Sequence, residues 1–84
     1  MRKKNIIGSR VRDARKESRM TQMELALRMQ LLGVPMDRSA VAKLESGRRP
    51  ISDIEAAAIA KILGITIARL FEASDSMLDS LGVQ

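Results

Sequence analysis

The 84-residue chain contains no cysteine and no histidine, and Phe71 is its only aromatic residue. Without cysteine there is neither a disulfide framework nor a thiolate metal site. Without histidine there is no imidazole ligand for zinc and no imidazole base. With a single aromatic, the core must be aliphatic, built from Ile, Leu, Val, Ala and Met. Proline is scarce, and Pro35 and Pro50 both stand where helical patterns stop. No apolar run approaches membrane-spanning length, and Met1-Arg2-Lys3-Lys4 leads into no signal-like segment, so the simplest home is a reducing cytosol. There is no Gly-rich phosphate loop and no pair of inward carboxylates, which argues against an enzyme. No cofactor and no metal are expected.

What is present is a globular balance, with 45% hydrophobic and 30% charged residues. At this length it suits one domain with a modest core, and the aliphatic composition favours helices over sheet. The net charge of +5 is unevenly spread. Residues 1–19 hold eight Lys/Arg against Asp13 and Glu17, and residues 38–50 hold Arg38, Lys43, Arg48 and Arg49 against Glu45. Residues 51–84 hold Lys61 and Arg69 against five acids. A basic first half suggests a polyanionic partner there.

Periodicity and capping signals predict about five helices. Asn5 caps the first, which runs to about Arg19 with Ile7, Val11 and Ala14 as its apolar stripe. Thr21-Gln22-Met23-Glu24 is a capping box opening the second, with Leu25, Ala26 and Met29 inward. Gly33 and Pro35 end it. Asp37 caps a third helix, Arg38 to about Ser46, and Gly47 stops it. Ser52-Asp53-Ile54-Glu55 is a second capping box, for a helix reaching Leu63 before Gly64. Thr66 caps a fifth, with Ile67, Leu70 and Phe71 inward. Beyond Ala73, either the apolar stripe continues through Met77, Leu78 and Leu81, or Ser74 or Asp75 caps a separate short helix. The expectation is an all-α, compact five-helix domain over residues 1–84, with a basic arm at 1–5 and a tail at 73–84. One position is odd. Glu45 lies on the same face of the third helix as Val41 and Leu44, so a carboxylate points where burial is expected.

Taken in order, the stretches IGSRVRDARKESRMTQMELA, SAVAKLESGRRP and IAKILGITIARLF carry a signature. It resembles that of the lambda-repressor-like, or Cro-type (XRE), helix-turn-helix proteins of bacteria and phages. The resemblance implies sequence-specific binding of double-stranded DNA, with helices 2 and 3 as the helix-turn-helix. It pairs Glu45 with Arg15 as a buried structural ion pair, which accounts for the inward carboxylate. It places Arg38, Ser39 and Lys43 toward base edges, with Ala40 beside a thymine methyl. It assigns Gln22, Ser46, Gly47, Arg48 and Arg49 to phosphates. Arg2, Lys3 and Lys4 are either a disordered tail or an arm along the DNA. The segment LRMQLLGVPMDRS after Ala26 is longer than most members have, so helix 2 gains about a turn and the third helix is tilted or shifted. Leu31, Leu32, Val34 and Met36 are expected to pack on the end of helix 2, the other reading being a partner surface. The implied function is a transcriptional regulator, of repressor or controller type, acting as a homodimer through Phe71, Met77, Leu78 and Leu81. Two other readings stand beside it: an antitoxin holding a small protein toxin, and a protein-interaction adaptor on this fold.

Overall fold

Short side-chain devices set where the helices start. Thr21 Oγ1 accepts the Glu24 amide at 3.0 Å, and the Glu24 carboxylate accepts the Thr21 amide at 3.2 Å. Ser52 and Glu55 make the same reciprocal pair, at 3.1 and 3.0 Å. Such boxes satisfy amides that a helix start otherwise leaves open. Asp37 and Thr66 act from one side, accepting the amides of Ala40 at 2.7 Å and Arg69 at 3.0 Å. The computed structural model describes residues 3–72 and contains α1 (Gly8–Glu17), α2 (Gln22–Leu31), α3 (Arg38–Glu45), α4 (Asp53–Leu63) and α5 (Ile67–Leu70). Among the described residues there is no strand, and no helix is long and apolar enough to cross a membrane. The fold is all-α.

Helix α1 begins two residues later than its cap residue suggests. Its backbone cap position is Ile7, which offers no side-chain bond. Asn5 caps from further out, its Oδ1 accepting the amides of Ile7 at 3.1 Å and Gly8 at 2.7 Å.

Helices α1 and α2 both pack on α3 and α4, and α5 packs on α4. Ile7, Val11, Leu25, Met29, Val41, Leu44, Ile59 and Leu70 form the fully buried centre, the aliphatic core expected of a chain with one aromatic. Ala56, Ala58 and Ala60 are buried along α4, where their small size lets neighbouring helices come close. The tightest contact joins α1 to α3. A Cβ on Gly8 would run into the carbonyl oxygen of Leu44, so the first turn of α1 meets the last turn of α3 backbone to backbone.

Two expectations about apolar residues are corrected. At the end of α2, Met36 is buried and Val34 half-buried against the core, but Leu31 is 86% exposed and Leu32 is also exposed. Helical spacing explains it. Leu31 lies on the row Met23–Leu27–Leu31, opposite the buried Leu25 and Met29, and all three are exposed. In α5 only Leu70 is buried, while Ile67 is 52% and Phe71 40% exposed. A helix of four residues docks through one side chain, and the adjacent i, i+4 row stays outside. Met77, Leu78 and Leu81 lie outside the described residues.

Candidate nucleic-acid interface

The centre of the site is the carboxylate of Glu45, which is 7% exposed. Arg15 Nε donates to Oε2 at 2.6 Å and its Nη2 to Oε1 at 3.0 Å, a two-point grip. Arg15 Nη1 also donates to the Met20 carbonyl at 2.8 Å, tying the end of α1 to the chain entering α2. Gln22 Nε2 donates to Glu45 Oε1 at 3.1 Å. One carboxylate thus joins α1, α2 and α3. The Arg15 pKa is raised, chiefly by its hydrogen bonds to Glu45, with burial opposing and the charge attraction adding to it. The guanidinium therefore remains a cation at any ordinary pH.

This inward anchor fixes which way α3 faces outward. Val41, Leu44 and Glu45 are buried, whereas Arg38, Ser39, Lys43 and Ser46 are exposed. At 100° per residue, Arg38, Ala42 and Ser46 form one outward row and Ser39 with Lys43 form the next. Among the described residues neither Arg38 nor Lys43 has an ion-pair partner. Ala40, expected to touch a base methyl, is half-buried against the core instead. Ala42 occupies the outward row, a position that the sequence reading passed over although it lies four residues past Arg38.

The turn after α3 divides the expected phosphate contacts. Ser46 Oγ accepts from Arg48 Nε at 3.0 Å and donates to the Lys43 carbonyl at 3.0 Å, and both side chains are exposed. Gly47 is different. It is buried, with φ of +78°, and its amide donates to the Leu44 carbonyl at 3.0 Å. That amide closes the helix rather than facing outward, so Gly47 serves as the turn and not as a phosphate donor. Arg49 likewise has a partner that sequence spacing did not suggest. Its Nη1 and Nη2 donate to Glu55 Oε1 and Oε2 at 3.0 and 2.9 Å, fixing the loop between α3 and α4. The Glu55 carboxyl is held below its ordinary pKa, first by this bond to Arg49, with burial opposing and the Ser52 amide adding to it. Among the described residues no acidic cluster could hold a metal ion.

The outward face is thus cationic and borne on a helix whose opposite side is locked by α1 and α2. A helix-turn-helix family matches residues 11–70, well over half of the chain and including all of that geometry. The chain belongs to the lambda-repressor-like helix-turn-helix family. Comparison with curated proteins and with solved structures finds no match. In this helix-turn-helix protein α2 and α3 are the eponymous pair. The family binds DNA and is of the transcription-regulator type, so DNA is a partner of this chain.

Proposed function

We propose that the protein is a sequence-specific regulator of repressor or controller type that reads the DNA major groove with α3. The observation that carries this reading is the exposed cationic face of α3, held outward by the buried Arg15–Glu45 pair. Arg38 sits at the first position of the helix, where a bidentate contact to guanine O6 and N7 is within reach of a long side chain. Ser39 and Lys43 read beside it. Ser46 and Arg48, together with the N-terminus of α2 at Gln22, grip phosphates and set the register. Arg49 supports that turn through Glu55, so little of its charge is left for DNA.

Selection from a random duplex library tests the reading. It should enrich one motif with two-fold symmetry. Recovery of unselected sequence would sink it. Arg38→Ala should weaken the selected site by about 1–3 kcal/mol and relax one base pair, whereas Arg48→Ala should weaken all sequences alike. Equal effects of the two changes on selected and random DNA would overturn this division of roles.

A second reading has its own support. The exposed apolar row Met23, Leu27 and Leu31 on α2 is unusual for a lone domain. It favours a protein partner, as in an antitoxin that keeps its DNA-binding face. Co-purification of a second small protein from the native host distinguishes the two.

A further inference from the structure

Residues Lys3–Asn5 belong to no helix, yet they are tied to the end of α3. The Lys4 amide donates to the Gly47 carbonyl at 2.8 Å. Asn5 Nδ2 donates to the Leu44 carbonyl at 3.1 Å and to the Arg49 carbonyl at 2.7 Å, on either side of that glycine. Because Asn5 Oδ1 accepts the Ile7 and Gly8 amides, both donors and both lone pairs of this buried carboxamide are used. The alkyl stem of Lys3 covers Gly47 closely: a Cβ there would lie 3.1–3.5 Å from its Cδ, Cγ and Cβ atoms. Lys3 and Lys4 are themselves exposed, beside the turn that carries Ser46 and Arg48.

We propose that Lys3–Asn5 is the second half of the phosphate-binding turn at the end of α3. Lys3 and Lys4 supply two further cations to the DNA backbone, and Asn5 is the positioning residue that holds them there. The proposal rests on the DNA-binding reading above. Its physical basis is preorganisation. A lysine on a free arm must be ordered when it meets a phosphate, which costs conformational entropy. Here folding has already ordered the backbone, through a side chain that cannot be withdrawn without leaving buried carbonyls short of donors. The two cations also stand at the C-terminal end of a helix, where its dipole favours them before any DNA arrives.

Binding to the selected site and to a random duplex, each followed across a salt series, tests the proposal. Lys3→Gln/Lys4→Gln should make the slope of log K against log salt shallower by about 1–2, equally on both duplexes. Asn5→Ala keeps both lysines but should lose the same slope, and adding the two glutamines to it should change nothing more. A merely structural Asn5 would lower the melting temperature and leave the slope of the folded protein intact. If Asn5→Ala does not fold, Lys4→Pro removes the amide donor to Gly47 as well as the charge removed by Lys4→Gln, while also fixing φ at residue 4, and should cost more slope than Lys4→Gln. An unchanged slope in Lys3→Gln/Lys4→Gln, additive losses, or equal slopes for the two Lys4 variants would overturn the proposal. A wild-type protein with no salt-dependent binding to either duplex would instead overturn the DNA reading itself, and the proposal with it.

Discussion

Arg15 and Glu45 stand thirty residues apart in the chain and 2.6 Å apart in space. Their pairing illustrates why a buried charge is safe only in company. Removing Arg15 leaves a desolvated carboxylate with only Gln22 to bond it, and removing Glu45 leaves a buried guanidinium with only the Met20 carbonyl. Either loss should cost about 3–5 kcal/mol, a large share of the ~5–10 kcal/mol expected of so small a domain. Replacing both by apolar residues removes the desolvation cost together with the bond. Arg15→Met and Glu45→Leu should therefore each destabilise strongly, and the double variant much less. A denaturant double-mutant cycle measures this, and additive losses would refute the coupling. The inward carboxylate was legible in the sequence as a break in apolar periodicity. Its partner was legible only through the family resemblance, because nothing local to residues 38–46 points thirty positions back.

At the scale of elements, the contacts at the ends of α3 matter more than its length. The α1–α3 contact depends on Gly8 lacking a side chain. Gly8→Ala should push the two helices apart and cost about 1–3 kcal/mol, despite the better helix propensity of alanine, as a denaturation midpoint would show. A stability gain there would mean that the close approach is not real. Beyond α3, the Arg49–Glu55 pair pins the loop into α4. Glu55 has a lowered folded pKa, so its contribution is full above the unfolded carboxylate range and is lost as pH falls through the lowered value. Stability should thus decline below about pH 4 partly through this group. Glu55→Gln keeps an amide oxygen for the capping box. It should cost about 1 kcal/mol at neutral pH and flatten the acid limb of a stability–pH curve. An unaltered acid limb would place the acid sensitivity elsewhere.

The whole molecule raises the question of copy number. One such domain touches few base pairs, too few to single out a site in a genome. A symmetric dimer doubles the contacts and reads a palindrome, with half-sites about 10–11 base pairs apart on one face of the DNA. Phe71 and Ile67 supply an exposed apolar start for such an interface, and the apolar residues Met77, Leu78 and Leu81 follow in the sequence. Analytical ultracentrifugation of the chain and of a version ending at Ala73, each with and without the selected site, should show a dimer on DNA that the shorter form loses. A chain that binds one copy per symmetric site, and stays monomeric at high micromolar concentration, would remove the dimer from the account.

Local signals alone determined most of the architecture. Two capping boxes, two one-sided caps and glycines at φ near +70° mark helix boundaries through bonds that span three or four residues, so they can be read without knowing what lies across the core. The outward placement of Arg38, Ser39 and Lys43 came from the family resemblance, and all three are exposed. Only the tertiary structure decided the rest. Whether Leu31 and Phe71 are covered depends on how far a neighbouring helix extends, not on their own hydrophobicity. Arg49 looked free for phosphate until the loop geometry gave it the Glu55 carboxylate, and the bond from the Gln22 side chain to Glu45 appears only when α2 and α3 pack together. Asn5 read as an ordinary cap because its acceptor atom acts within three residues, while its donors reach carbonyls some forty positions away. Caps and periods are properties of a few adjacent peptides. Partners of buried polar groups are properties of the packed chain, where a side chain satisfies whichever donor or acceptor the fold brings beside it.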